Sequence, residues 1–184
     1  MTKICVFCSS MSNLSQDYVE VARRTGELLG KRNHQLIYGG SHRGLMGELS
    51  KSFVGYGQEI IEIIPKMWED IVITKRKAIV TKDLGERLKK MQEISEAFIT
   101  LPGGLGCLQE FGDVLVSRQL NIHLKPLTIV NTNGFYDNLI EQINKIVSEG
   151  FAPLDNKGLF YVASTPEKAL DYIEKYNPLR ASDK

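Results

Sequence analysis

The stretch Ile94 to Glu110, ISEAFITLPGGLGCLQE, places a strand, a glycine turn and a helix start in immediate succession. Ala97-Phe98-Ile99-Thr100-Leu101 is a nearly unbroken apolar run, as expected of a strand covered on both faces in a parallel sheet. Pro102 stops the ladder, and Gly103, Gly104 and Gly106 let the backbone turn sharply and approach a ligand closely. Leu105, Leu108, Phe111, Leu115 and Leu120 then recur at roughly helical spacing. A helix N-terminus directly behind a glycine turn offers free N–H groups and a positive dipole end, so it suits an anion, most often a phosphate. Glu110 sits about one turn into that helix, too deep to serve only as a cap, and is expected to point near whatever the turn holds.

A chain of 184 residues suits one domain with a real core. The predicted domain runs from 1 to 177, with a frayed tail at 178–184. With 23 basic and 22 acidic residues the net charge is +1, which marks neither a nucleic-acid polyanion nor a membrane surface as partner. No basic apolar leader and no run near the ~20 apolar residues of a membrane span is seen, so the expected location is cytoplasmic. Three cysteines do not describe a disulfide framework. Cys5-Val6-Phe7-Cys8 fits the redox CxxC spacing but lies within the first strand, where residues three apart face opposite sides. Small buried side chains are the expectation for both, and no metal site is predicted.

Lys3 to Cys8 reads as the first strand, followed by the polar turn Ser9-Ser10-Met11-Ser12-Asn13. Small hydroxyl residues there lie where open α/β sheets bind ligands, and ordinary turn chemistry accounts for them equally well. A helix follows from Ser15 to about Gly30. Gln35 to Tyr38 is a second strand running into Gly39-Gly40-Ser41-His42-Arg43-Gly44 and a helix near Leu45, a second strand–glycine–helix crossing. Arg43 and His42 either reach a phosphate or base, or belong to a solvated loop. No nucleophile–base pair assembles from the spacing of His34, His42 and His123.

Glu59 to Ile64 is a third strand, ended by Pro65, and Lys66 to Asp70 is polar and partly helical. The lone tryptophan, Trp68, is read as core, with a base-stacking platform as the alternative. Lys75-Arg76-Lys77 reads as a solvated charge run. Gly85 to Met91 is a helix packing on Leu88, Met91 and Ile94, with Arg87 beside that stripe or paired on the surface with Glu86 or Glu93. Leu127 to Val130 is another strand, then a helix to Gly150, a weak strand at Leu159 to Val162 and a helix from Pro166. Strands alternating with helices predict a single-domain, Rossmann-like α/β fold: a doubly wound parallel sheet with helices on both faces.

Two glycine turns at the carboxyl ends of neighbouring strands make a phosphate site with a sugar-sized space beside it, so Gly40 joins Gly103, Gly104 and Gly106 in the candidate binding set. No GxGxxG directly follows the first strand, so a mononucleotide fits better than a dinucleotide. Walker spacing is absent too. A carboxylate close to a ribose stabilises positive charge developing at the anomeric carbon or positions a water to attack it. Glu110 and Arg87 are therefore the candidate reacting groups.

Tyr38-Gly39-Gly40-Ser41-His42-Arg43-Gly44-Leu45-Met46-Gly47 is similar to the YGGGxxGLMG stretch of the LONELY GUY (LOG) family. Pro102 to Glu110 resembles its PGGxGTxEE signature, and Glu86-Arg87 through Met91 with Ala97-Phe98-Ile99 resembles its MHxRK helix and strand. The likeness runs from Ile4 to about Val162. Members are often labelled lysine decarboxylase, whereas the family's characterised activity is hydrolysis of cytokinin riboside 5′-monophosphates to free base and ribose 5-phosphate. The resemblance implies that Gly103, Gly104, Gly106 and Cys107 hold the 5′-phosphate of an AMP-like nucleotide. It also implies that Arg87 and Glu110 are catalytic, that Glu69 binds substrate, that no cofactor is needed, and that the chain forms a homodimer or higher homo-oligomer. The family's motif residues are replaced here by Leu88 for lysine, Cys107 for threonine and Gln109 for the first glutamate, and Leu84 and Gly85 stand for methionine and histidine. Related folds with the same turns resemble molybdenum-cofactor carriers, which hold a phosphorylated pterin and catalyse nothing; retention of Arg87 and Glu110 favours the enzyme. Pyridoxal-dependent decarboxylation would need a Schiff-base lysine and an acid at the ring nitrogen, and the sequence marks no such pair.

Overall fold

Along the first strand, β1 (Lys3–Phe7), Ile4 and Val6 enter one apolar core while Cys5 and Phe7 enter another. This period of two, with both faces buried, is what a central parallel strand requires. The computed structural model describes residues 1–69, 77–152 and 158–177. The other strands are β2 (Gln35–Tyr38), β3 (Ile60–Pro65), β4 (Lys77–Thr81), β5 (Ala97–Thr100), β6 (Leu127–Val130) and β7 (Tyr161–Ala163). All pair in parallel, in the order β4-β3-β2-β1-β5-β6-β7.

Helices α1 (Gln16–Lys31), α2 (Gly44–Phe53) and α6 (Pro166–Lys175) close the core containing Ile4, Val6, Leu36 and Ile99. Helices α3 (Leu84–Ile94), α4 (Leu105–Gln119) and α5 (Asp137–Ser148) close the core containing Phe7, Ile37, Phe98 and Ile129. The doubly wound sheet expected from the sequence is thus the observed architecture. Among the described residues, no helix is long and apolar enough to cross a membrane. All three cysteines are free and buried, with Cys5 and Cys8 in opposite cores.

The chain winds outward from β1 in both directions, so the strand order reverses between β1 and β5. Ligands of open α/β sheets bind outside the carboxyl ends of the strands at this switch point. Phe7 lies opposite Thr100, and the Leu101 N–H donates to the Phe7 carbonyl at 2.9 Å. Both strands therefore end level, and the Ser9 loop and the Gly103 turn diverge around a crevice.

One strand was not legible in the sequence. β4 pairs along the outer edge of β3, with Lys77 opposite Ile61 and Thr81 opposite Pro65. Only Thr81 of its five residues is buried, as befits an edge strand, and its short apolar run, Ala78-Ile79-Val80, follows directly on the charge run in the sequence. Lys77, read as part of a charge run, opens this strand and pairs with Glu59 at 3.0 Å. Asp70, Lys75, Arg76 and the tail from Pro178 lie outside the described residues.

Candidate active site

Arg87 is buried, not a surface arginine. Asp83 caps α3 by accepting the Glu86 N–H at 2.9 Å, while the Glu86 carboxylate accepts the Lys82 N–H at 2.6 Å, so Glu86 is spent on the cap. Glu93 pairs with Lys90 instead. The helix consequently turns Arg87 and Met91, one turn apart, toward the sheet, and Leu88 is only half-buried. The Arg87 Nε–H donates to the Ile63 carbonyl at 3.0 Å, and its Nη1 donates to Glu110 Oε1 at 2.7 Å. The two side chains are 7% and 6% exposed, which makes this a buried ion pair. Gly39 clears the space: a Cβ there would collide with Arg87 Nη2.

Glu110 comes from α4, whose inner face carries Cys107, Glu110, Phe111, Val114 and Arg118. Burial raises its carboxyl above the ordinary value of 4.5, and the charge and hydrogen bond of Arg87 pull it partway back. The helix N-cap is Gly104, which supplies no side-chain cap, so the first-turn N–H groups are left for a ligand. α2 begins the same way, at Arg43 without a side-chain cap.

These groups meet in a cleft of about 470 Å³ at the switch point. Cys8, Ser9, Ser10 and Met11 line it from the β1–α1 loop, and Gly39, Ser41, His42, Arg43 and Met46 from the β2–α2 crossing. Trp68, Arg87, Gly104, Gly106, Cys107 and Glu110 complete it. Both glycine crossings of the sequence thus open on one space, although the strands they follow, β2 and β5, are not neighbours but flank β1. A larger groove of about 590 Å³ lies between α3 and the α4–β6 loop; it holds neither member of the ion pair. Leu88, the replacement for the family's lysine, lines that second groove and not the cleft.

Several expected residues stand differently from their sequence reading. Gly104 and Gly106 are exposed on the cleft, where a Cβ would meet nothing. Gly103 is packed: a Cβ there would strike the Cys107 thiol. Cys107 itself is 4% exposed, its thiol pushed up to about 12 by burial and by the neighbouring Glu110 charge, so it is neutral and turned under the loop. Gly40 does not line the cleft; its φ of +79° and an Ile64 side chain 2.7 Å from where a Cβ would stand give it a backbone role. Glu69 is exposed and does not line the cleft either. His34 is tied to Glu174 at 2.8 Å and His123 lies in the second groove, so neither reaches the pair.

Sequence reasoning missed the lining role of Met46 and the supporting role of Tyr136, while the turn holding Ser9 and Met11 was open to a ligand-binding reading and Trp68 to one as the alternative to core. Ser9 does both jobs allowed for it, accepting the Met11 N–H at 3.1 Å in a turn while facing the cleft. Trp68, read as core, is 39% exposed on a single 3₁₀ turn, Lys66–Trp68, directly after β3. Tyr136 is 2% exposed, and its hydroxyl donates to the Leu101 carbonyl at 2.8 Å, staking down the residue that enters the glycine turn. Tyr136→Phe strands that buried carbonyl and is expected to cost about 1 kcal/mol, measured as a lower urea midpoint at unchanged slope.

A doubly wound parallel sheet with an uncapped glycine-led helix and a buried carboxylate at its switch point defines a Rossmann-like α/β protein with a ligand cleft at the carboxyl ends of its strands. The family model described as "Possible lysine decarboxylase" matches residues 46–173. Curated relatives include the cytokinin riboside 5′-monophosphate phosphoribohydrolases LOG4 and LOG2 of Arabidopsis thaliana. LOG4 is 35% identical over 183 residues, spanning 98% of this chain and 85% of its own. LOG2 is 36% identical over 179 residues, spanning 96% and 84%. The chain belongs to this family, the LONELY GUY (LOG) family. The molybdenum cofactor binding protein of Rippkaea orientalis shares its fold, with a TM-score of 0.71 at 22% identity over 94% of this chain and 95% of its own. So does the molybdenum cofactor carrier of Chlamydomonas reinhardtii, at 0.70, 18%, 97% and 98%.

Proposed function

We propose that this chain is a phosphoribohydrolase that breaks the N-glycosidic bond of a purine-type nucleoside 5′-monophosphate, releasing free base and ribose 5-phosphate. The observation that carries this reading is the buried Arg87–Glu110 pair, 2.7 Å apart, beside the uncapped start of α4. The first-turn N–H groups of α4, with Gly104 and Gly106, receive the 5′-phosphate. Glu110 stabilises the positive charge that develops at the anomeric carbon and orients the attacking water. Water oxygen bonds to that carbon as the carbon–nitrogen bond breaks, and the base leaves with a proton. Arg87 keeps Glu110 ionised in a site whose burial favours the neutral acid. Water is the only co-reactant, so the reaction calls for no cofactor, and the ligand is a small molecule.

The relatives are named for cytokinin riboside 5′-monophosphates, which makes isopentenyladenosine monophosphate and AMP the substrates to compare. Because the phosphate is the anchor, AMP is expected to exceed adenosine in kcat/KM by at least about 100-fold, the worth of one or two charge-assisted hydrogen bonds. Equal rates of base release from the two would overturn the anchor.

The reading includes a homodimer. Leu105, Leu108 and Val116 of α4 and Leu120 at its C-cap are 84%, 37%, 51% and 63% exposed, and Gly112 between them has open space over its Cα. This apolar stripe starts next to the cleft residues Gly104 and Gly106, so a second copy packed there would adjoin the site. Val116→Asp is expected to shift the chain to a monomer in light scattering; an unchanged mass would remove this face from the assembly.

A further inference from the structure

We propose that Trp68 is the surface on which the nucleobase stacks, making it the residue that selects an aromatic base at this site. The inference rests on the nucleotide reading above and adds the group that holds the base.

The lining of the cleft is of two chemical kinds. Ser9, Ser10, Gly104 and Gly106 offer hydroxyls and backbone from the β1–α1 loop and the start of α4. Met11, Met46 and Trp68 are apolar, and Trp68 brings the indole; His42, on the β2–α2 crossing, is the other ring among the described lining residues. The Met46 thioether lies beside the catalytic pair: a Cβ on Gly39 would stand 3.2 Å from its Sδ and in collision with Arg87 Nη2. Trp68 stands farther out, after β3, whereas the glycine turn follows β5. The sheet order puts β2 and β1 between these two strands, three strand spacings or roughly 14 Å in all. Arg87 is anchored to β3 through the Ile63 carbonyl and reaches across to Glu110 on α4, so the pair lies between the two ends. A nucleotide laid with its phosphate at α4 and its glycosidic bond at Glu110 therefore carries its base toward Trp68.

The ring is also in the wrong place for a structural tryptophan. It is 39% exposed, on a three-residue turn with no buried residue. A large aromatic face left open inside a cleft is what a sequence-tolerant stacking platform requires.

The chain's single tryptophan lets this be read directly. Intrinsic fluorescence is recorded in a stopped flow within the first turnover, with AMP and with ribose 5-phosphate, and binding of each is measured in parallel by calorimetry. AMP is expected to quench the signal saturably, while ribose 5-phosphate binds without quenching. Trp68→Leu is expected to raise KM for AMP by about 10-fold or more with kcat within about threefold, and Trp68→Phe to recover most of that loss. AMP turned over with no fluorescence change, and an unaltered KM in Trp68→Leu, would overturn the stacking role alone. Neither AMP nor isopentenyladenosine monophosphate bound or cleaved by the unmodified chain would overturn the nucleotide reading and this inference with it.

Discussion

Glu110→Gln is expected to lower base release from AMP by at least about 1,000-fold while AMP still binds with a Kd within about threefold of the unmodified protein's. The amide keeps the shape and can still accept the Arg87 Nη1 hydrogen bond, now 2.7 Å long, so the site stays assembled. What it cannot do is face the positive charge at the anomeric carbon with a full negative one. In the proposed function the phosphate is held elsewhere, by the start of α4, so binding is expected to survive. The pH profile adds a second reading of the same group. Burial lifts the Glu110 carboxyl above 4.5, so the acid limb of kcat/KM is expected above the ordinary carboxylate range. Turnover in the Gln protein near the normal rate would remove Glu110 from the chemistry.

Arg87→Met is expected to destabilise the fold by about 3–5 kcal/mol at neutral pH, because it leaves a buried carboxylate with no counter-charge. The loss should shrink as the solution is acidified. A carboxyl whose folded pKa lies above its unfolded one binds more protons in the folded chain, so stability falls as pH rises through the window between them. Removing the guanidinium, which pulls the Glu110 value down, raises the upper end of that window and steepens the fall. Urea midpoints at pH 5 and pH 7.5 check this, with the larger difference from the unmodified protein expected at the higher pH. Equal differences at both would mean that Glu110 finds another partner.

The parts of the molecule legible in the sequence are those that repeat a strong local pattern. β1, β2, β3, β5 and β6 are apolar runs, three of them closed by Gly39, Pro65 or Pro102, and together with the intervening helices they announce a doubly wound sheet. The two glycine crossings were equally plain, and both open on the same cleft. β4 escaped because its apolar run is only Ala78-Ile79-Val80, follows a charge run and is closed by neither glycine nor proline. The orientation of Arg87 escaped because its helix carries apolar residues next to it; only the Asp83 and Glu86 cap, and the Glu110 partner 23 positions away, decide which face turns inward. α4 was harder still. Its apolar residues lie all round, with Phe111 buried and Leu105 and Leu120 exposed, so periodicity does not say which face meets the sheet. Trp68 illustrates the opposite error, in which a residue type that is usually core is placed by a short turn at the mouth of a cleft.

The most direct test of the whole account is free-base release from AMP and from isopentenyladenosine monophosphate by the unmodified chain, followed by chromatography. The account expects free base and ribose 5-phosphate in equal amounts from at least one of the two. Binding of both nucleotides without release of either base would contradict it and leave a protein that holds a phosphorylated ligand and does not cleave it.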